Sequence, residues 1–168
     1  MIKPRSKTPD LQIELINDTE WRLSKQNAKN YTLIVVYRGL HCPVCKSYLE
    51  ELKTKLDTFT DLGVNVIAIS SDTEQKAKET FKQWDVDGLP IGYEFSIEDA
   101  RDWGLYISNG IKEEPEQFIE PGIFLIQPDQ TLYCSSIQTM PFARPEFDDL
   151  IKAIKFVQKN DYPARGEA

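Results

Sequence analysis

Two closely spaced cysteines are the residues of this sequence best able to do chemistry. Cys42 and Cys45 form a C-x-x-C motif with Pro43 as its second residue. The thiolate is the reactive form of cysteine, and an ordinary cysteine titrates at about pH 8.5. Two cysteines separated by one helical turn lie close enough to form a disulfide without a large backbone movement. The motif therefore predicts a dithiol that cycles with a disulfide.

The surrounding sequence places this pair at the start of a helix. Residues 31–37 are a β-branched and aromatic run, which predicts a strand buried on both faces. Pro43 suits the first helical position, which puts Cys42 at the N-cap and Cys45 in the first turn. The unpaired N–H groups and partial positive charge of a helix N-terminus lower the pKa of nearby thiols. We therefore expect both sulfurs to be activated by the helix.

Four further residues are candidates for a role in the site. Arg38 and His41 precede the pair and can add positive charge, although the sequence shows no group that would orient His41 as a base. Arg144 comes just before a predicted helix and is either a site residue or a solvated loop residue. Cys134 lies in a strand pattern, which favours a buried core thiol over a second redox cysteine.

Two other uses of the cysteine pair remain open at this stage. Both thiols can be small apolar side chains in the core. A structural zinc site is the second alternative, but zinc needs four ligands, and the other soft candidates are Cys134 and His41. There is no second C-x-x-C motif. We therefore assign no metal, and we find no glycine-rich phosphate loop.

Composition and charge restrict the class of protein. The 168 residues include 20 Lys and Arg against 27 Asp and Glu, a formal net charge of −7. This acidic balance argues against nucleic acid as a partner. No apolar run approaches the roughly 20 residues of a membrane span, and the N-terminus shows no signal-peptide pattern, so we expect a cytoplasmic protein that does not bind membranes. The length predicts a single domain over 1–168, with 1–10 and 160–168 as tails.

Hydrophobic patterning predicts an α/β fold with the order β, β-α-β-α, short α, β-β-α. Strands are expected at 11–15, 31–37, 64–70, 122–126 and 131–137. Three details of the helices and loops can be checked: a capping box at Ser71 and Glu74, a surface loop over 108–121, and a last helix opened by Pro145. We expect Phe81 on the apolar face of the second helix. The pattern implies a parallel sheet with an antiparallel hairpin at its edge.

The sequence resembles the peroxiredoxin-like branch of the thioredoxin-like superfamily, the alkyl hydroperoxide reductase and thiol-specific antioxidant family. The matching segments are 35–39, 41–45, 66–72, 103–106 and 121–126. The resemblance implies a three-layer sandwich with a central mixed sheet, flanking helices and an N-terminal strand extension. It also implies a cis-proline at Pro121, opposite the active cysteine, and such X–Pro bonds are uncommon.

The resemblance gives two assignments for the nucleophile. Placing the peroxide-attacking cysteine of peroxiredoxins at Cys45 puts Arg38 where that family has proline and Cys42 where it has threonine or serine. The same alignment puts Pro121 near the place of a strand arginine that binds peroxide. The thioredoxin pattern instead makes Cys42 the attacking cysteine and Cys45 the resolving one. We favour Cys42, because the N-cap position gives thiolate character and access.

The function implied by the resemblance is thiol-dependent reduction of hydroperoxides or disulfides by a Cys42/Cys45 cycle. A thiol donor of the thioredoxin, glutaredoxin or glutathione type would restore the dithiol, no dissociable cofactor is needed, and a homodimer fits the family. The residues expected to shape the site are Arg38, Gly39, His41, Pro43, Pro121 and Arg144. The alternatives are a thioredoxin-like disulfide reductase and a non-catalytic module that senses redox state or binds a partner.

Overall fold

The structure, a computed structural model, describes residues 1–168. The strands are β1 Gln12–Leu15, β2 Glu20–Arg22, β3 Tyr31–Val36, β4 Val64–Ile69, β5 Ile91–Tyr93, β6 Ile107–Asn109, β7 Gln117–Ile119, β8 Gly122–Ile126 and β9 Leu132–Ile137. The helices are α1 Pro43–Thr54, α2 Leu56–Asp61, α3 Glu74–Gln83, α4 Ile97–Asp102 and α5 Phe147–Asn160, with a 3-10 turn at Leu23–Lys25. None of the helices combines the length and apolarity needed to cross a membrane.

Seven strands form one mixed sheet in the order β2-β1-β5-β4-β3-β8-β9. The central strands β3, β4 and β5 are parallel, whereas β8 is antiparallel to β3 and β9 to β8. The predicted hairpin is therefore confirmed, and its second strand is an edge of the sheet. β1 and β2 extend the opposite side. Every residue of β3 is buried, as its continuous apolar sequence predicts.

Apolar side chains cover both faces of this sheet. Alternate residues of β3 point to opposite sides, with Leu33 and Val35 in one cluster and Ile34 and Val36 in the other. The first cluster contains side chains from α1, α2, α3 and α5, such as Leu49, Phe59, Ala77 and Phe147. The second contains side chains from α4 and the N-terminal strands, such as Ala100 and Trp21. The expected three-layer, thioredoxin-like sandwich is confirmed.

The segment 108–121 is not the surface loop that its Gly, Pro and Glu content predicts. β6 and β7 pair there as a separate two-stranded antiparallel sheet, and Phe118 and Ile119 are buried. Each strand has only three residues, which is too short for an apolar alternation to stand out in the sequence. Glu120, the residue that follows this hairpin, is also buried. The hairpin therefore reaches the site described below.

Two helix starts differ from the expectation. α3 is capped by Thr73, whose hydroxyl accepts the Lys76 N–H at 3.4 Å, instead of by Ser71. α5 begins at Phe147 with Glu146 as N-cap, two residues after Pro145. Ser, Thr and Pro all occur near helix starts, so composition alone does not select the residue that caps.

The position of Phe81 also differs from the expectation. Phe81 is 38% exposed, because the buried face of α3 passes through Ala77 and Thr80 instead. Residues within the segments expected to be tails contact the rest of the fold at Arg5 and Ala164. The Arg5 backbone N–H bonds to Leu132 O at 2.8 Å, and the Arg5 Nε donates to Ala164 O at 2.9 Å. Ala164 is itself buried.

Candidate redox site at the start of helix α1

The first turn of α1 holds the cysteine pair as the sequence predicts. Pro43 is the first helical residue, and Cys42 is the N-cap with an extended backbone conformation. The Cys42 Sγ accepts the Cys45 backbone N–H at 3.2 Å, as a capping side chain does. The sulfur at position 42 therefore lies directly in the positive field of the helix N-terminus.

Cys42 and Cys45 are joined as a disulfide, with their Cα atoms 5.2 Å apart. The two residues are unequally accessible, because Cys42 is 4% exposed and Cys45 is fully buried. A reactant that approaches from solvent therefore meets Cys42 first. The arrangement can store and release two electrons as a disulfide and a dithiol.

Arg144, from the loop between β9 and α5, reaches the buried cysteine. Its Nη1 lies 3.9 Å from Cys45 Sγ, and its Nη2 donates to Val44 O at 3.2 Å. Its guanidinium carbon lies 3.8 Å from the ring centre of Tyr48, whose hydroxyl donates to Pro145 O at 2.5 Å. None of these contacts is with a carboxylate. Burial is the main cause that lowers the pKa of Arg144 to about 10, so the side chain is cationic at neutral pH.

Arg38 has a different environment. Its Nε and Nη2 each donate to a carboxylate oxygen of Glu120 at 2.8 Å, so the pair is bidentate. Glu120 is 2% exposed and also accepts from the Ser108 hydroxyl at 2.5 Å. The guanidinium of Arg38 also lies 5.0 Å from the ring centre of Phe118. The positive charge that the sequence places at position 38 is therefore balanced by a buried carboxylate.

Gly39 begins the turn that leads into α1, and its backbone φ of +126° favours glycine. A Cβ at this position would lie 2.5 Å from Asp72 Oδ1, because the carboxylate packs against the turn. Asp72 is buried and accepts the Leu40 N–H at 2.7 Å. Burial is the main cause that raises the pKa of Asp72. The Cys42 N–H in turn bonds to Gly39 O at 3.1 Å, so this turn holds the N-cap residue in place.

His41 lies beside the pair without a hydrogen-bond partner. Its ring meets Phe118 edge-on at 4.8 Å, and both ring nitrogens are buried and unpaired. Burial is the main cause that lowers the pKa of His41, which favours the neutral ring at neutral pH. No group orients it as a base, in agreement with the sequence, and its neutral form adds no charge to the site.

Pro121 lies at the junction of β7 and β8, and the isomer of its peptide bond differs from the thioredoxin pattern. The structure contains no cis peptide bond, so the expected cis-proline is wrong. An X–Pro bond adopts the trans form unless the surrounding structure requires cis. Here the Pro121 carbonyl accepts the Gln138 N–H at 2.9 Å, which extends the pairing of β8 with β9.

Cys134 takes no part in this site. It lies on β9 opposite Leu125, packs against the first apolar cluster and carries a free thiol. Burial raises the pKa of its thiol to about 11, so the thiolate is scarce at neutral pH.

A family model described as the AhpC/TSA family matches residues 4–134. The chain belongs to this family. The AhpC/TSA match covers the N-terminal strands, the C-x-x-C motif and the central sheet, but it ends before the loop that carries Arg144. Members of the family are peroxiredoxin-like thiol oxidoreductases, and the Cys42–Cys45 pair of this chain is compatible with that chemistry.

Individual relatives are distant in sequence and similar in fold. Peroxiredoxin 2 of Picrophilus torridus is 23% identical over 150 residues, which cover 86% of this chain and 71% of that protein. The crystal structure of peroxidoxin BcpB from Mycobacterium tuberculosis gives a TM-score of 0.76 at 14% identity, over 94% of this chain and 99% of that one. Enterococcus faecalis AhpC also gives 0.76, at 16% identity over 98% and 99% of the two chains.

The sequence did not reveal three residues that the structure places around the cysteine pair and its two arginines: Tyr48, Asp72 and Glu120. Glu120 is the one charged residue in an apolar run, 118–126, which is a recognisable signal of a buried charge. Asp72 follows β4, whose neighbour β3 leads into the cysteine turn, and the ends of parallel neighbours meet at one edge. Tyr48 lies one helical turn after Cys45, a spacing that equally indicates core packing.

Proposed function

We propose that this protein reduces hydroperoxides with Cys42 as the attacking thiolate and Cys45 as the resolving cysteine. The observation that carries the proposal is the unequal placement of the two sulfurs. Cys42 caps α1 and is 4% exposed, while Cys45 is fully buried next to Arg144. The helix favours the thiolate where the substrate arrives, and the guanidinium favours it where the disulfide must close.

In the first step, the Cys42 thiolate attacks one oxygen of the peroxide and the O–O bond breaks. Cys42 becomes a sulfenic acid, and the other oxygen leaves as an alcohol or water after taking up a proton. In the second step, the Cys45 thiolate attacks the Cys42 sulfur and displaces hydroxide, which leaves as water after protonation. The product is the Cys42–Cys45 disulfide, which is oxidised by two electrons relative to the dithiol.

A donor thiol then reduces the Cys42–Cys45 disulfide back to the dithiol. A donor thiolate attacks Cys42, the more exposed residue of the pair, and Cys45 leaves as a thiolate beside Arg144. A second donor thiol then attacks the mixed disulfide and releases Cys42. The donor ends as a disulfide, and the enzyme is again a dithiol. We propose a donor of the thioredoxin, glutaredoxin or glutathione type, a cycle without a dissociable cofactor, and a cytoplasmic site of action. A homodimer, which fits the family, is also part of the proposal.

In this proposal the other predicted residues shape the site and do not react. Pro43 starts the helix that the Cys42 sulfur caps, and Gly39 allows the turn to pack on Asp72. Arg38, His41 and Pro121 line the same end of the sheet. His41 is a neutral neighbour and not the base, because both ring nitrogens lack a partner.

Single-turnover peroxide consumption, followed by mass spectrometry, tests the assignment. Reduced protein is mixed with one equivalent of hydroperoxide as the wild type and as Cys42→Ser, Cys45→Ser and Cys134→Ser variants. We expect Cys42→Ser to consume no peroxide, Cys45→Ser to stop at the Cys42 sulfenic acid, and Cys134→Ser to match the wild type. If Cys42→Ser consumes peroxide at the full rate and Cys45→Ser does not, Cys45 is the nucleophile.

A disulfide reductase is the second candidate, and a specific observation favours it. The place of the strand arginine that the family resemblance predicts is occupied by Pro121, next to a C-x-x-C pair at a helix N-terminus. Turnover of insulin disulfides is compared with turnover of hydroperoxide under the same donor. Faster insulin reduction with negligible peroxide turnover would favour this candidate over a peroxidase.

A further inference from the structure

Glu120 is a buried carboxylate for which the proposed cycle has no use. It is 2% exposed, and its oxygens accept from Arg38 twice at 2.8 Å and from Ser108 at 2.5 Å. Burying a carboxylate is costly unless it is paired and hydrogen-bonded, as it is here. Its partners join the β6–β7 hairpin to the residue that precedes the Gly39 turn. The arrangement connects an element outside the main sheet to the redox turn.

The charge of Arg38 reaches the groups around the cysteine pair. It contributes to lowering the pKa of Arg144, which lies against Cys45, and the pKa of His41, which adjoins Cys42. Arg38 is also next to Gly39, whose carbonyl holds the Cys42 N–H. An unbalanced guanidinium at position 38 would therefore favour thiolates at the site. Glu120 provides the balancing charge.

We propose that Glu120 is a positioning residue that acts on the cysteine pair through Arg38. It fixes the guanidinium at the edge of the redox turn and cancels its charge. The Cys42 thiolate is then stabilised mainly by the helix N-terminus that its sulfur caps. The proposal rests on the proposed function only in taking Cys42 as the reactive thiol.

Several other charged or titratable groups surround Arg38 and the pair, and they are unchanged in the test below. They come from the turn itself, the end of β4, α3, the 110–116 loop and the β9–α5 loop, and they are His41, Asp72, Lys76, Glu114 and Arg144. None of these residues is replaced in the variants, although the pKa of His41 changes with the pair, because Arg38 lowers it and Glu120 raises it. The double variant removes both influences together. Differences between the variants therefore report the Arg38–Glu120 pair.

The test measures the pH midpoint of Cys42 alkylation in the full-length reduced protein. A Cys134→Ser background is pulsed with iodoacetamide between pH 5 and 9, values chosen to bracket thiol titration at about pH 8.5 and below, and modification of Cys42 is read by peptide mass spectrometry. In Glu120→Gln, Arg38 loses its counter-charge, so we expect the midpoint to fall by about 1 pH unit, the lower end of the effect of a nearby opposite charge. In Arg38→Met, the carboxylate is left unbalanced and the midpoint rises.

Two controls separate charge from structure. The double variant Arg38→Met with Glu120→Gln removes both charges, so its midpoint returns close to that of the parent. Glu116→Gln makes the same change on the exposed part of the same hairpin and leaves the midpoint unchanged. A purely structural role for Glu120 predicts equal loss of folding in both single variants and no shifts of opposite sign.

The outcomes are distinguishable from those of the proposed function, because alkylation requires no peroxide. Unchanged midpoints in folded Glu120→Gln or folded Arg38→Met overturn the inference, and if one variant fails to fold the other still decides. Opposite shifts support it even if the parent protein consumes no peroxide, in which case the proposed function alone fails.

Discussion

Two arginines flank the cysteine pair, and they differ in what balances their charge. Arg38 donates two bonds to the carboxylate of Glu120, whereas Arg144 lies on the face of Tyr48 and donates to Val44 O and toward Cys45 Sγ. Both guanidiniums contact an aromatic ring, so ring stacking does not distinguish them. The presence or absence of a carboxylate partner distinguishes the two arginines. A cation with a carboxylate partner holds structure together, while a cation without one is available to a charge that appears during the reaction.

The difference is largest when Cys45 is a thiolate. In the oxidised protein Arg144 faces a neutral disulfide. When the Cys45 thiol of the reduced protein loses its proton, the same guanidinium faces an anionic sulfur, and the interaction becomes an ion pair at a buried position. Arg38 experiences no such change, because Glu120 is present in both states. Residue type is therefore a poor guide to function here, and the identity of the counter-ion is a better one.

Replacing Arg144 is the most direct test of this difference between the two arginines. Arg144→Met removes the charge next to Cys45, and we expect closure of the disulfide to slow by about 100-fold, the lower range for loss of one preorganised electrostatic contact. Arg144→Lys keeps a positive charge, so we expect its rate of disulfide closure to fall less. Rapid-quench measurement of disulfide formation after a stoichiometric pulse of peroxide checks both variants. Equal rates in Arg144→Met and the wild type would contradict the role assigned to this residue.

The complementary change affects stability more than chemistry. Arg38→Met leaves Glu120 buried without its partner, so we expect the free energy of unfolding to fall by about 3 kcal/mol, the cost of breaking a buried pair from one side. Arg144→Met leaves no carboxylate without a partner, so its loss of unfolding free energy should be clearly smaller. Urea denaturation of reduced proteins, followed by circular dichroism, measures both. A larger loss for Arg144→Met than for Arg38→Met would reverse the comparison.

The smallest effect concerns His41, on the Arg38 side of the site. Burial lowers the pKa of His41 in the folded protein below the ordinary value of about 6.5, so the unfolded chain binds this proton at a higher pH than the folded protein. The burial of His41 therefore costs no stability above the unfolded pKa, and stability falls as the pH drops below it. His41→Gln removes this part of the pH dependence. Urea midpoints at pH 7.5 and at about pH 5.5, one unit below the unfolded value, should differ less in the variant than in the wild type.

Local sequence patterns predicted the fold and the chemistry at the cysteine pair. The β3 run and the Pro43 position are short-range signals, and they place Cys42 at the N-cap without knowledge of the rest of the chain. The pairs that complete the site are separated by 82 residues for Arg38 and Glu120 and by 99 for Cys45 and Arg144. No local sequence pattern predicts contacts between residues so far apart in the chain. Arg144 was a candidate by type, and its contact with the buried sulfur follows only from how the β9–α5 loop packs.

The missed β6–β7 hairpin illustrates the same limit at the level of secondary structure. Its strands are three residues long, and their pairing is stabilised by the burial of Phe118 and Ile119. Tertiary packing, rather than intrinsic propensity, determines such short strands. The trans bond before Pro121 is a further case, because proline marks where an isomer can differ without specifying which one forms.

The N-cap bond between Cys42 Sγ and the Cys45 N–H links reactivity to the integrity of one helical turn. In an extended or newly made chain this turn is absent, and both cysteines are ordinary thiols. The Cys42 thiolate therefore gains the stabilisation of the helix N-terminus only when the first turn of α1 has formed. The bond is present while Cys42 is part of the disulfide, so oxidation of the pair leaves the N-cap of α1 in place.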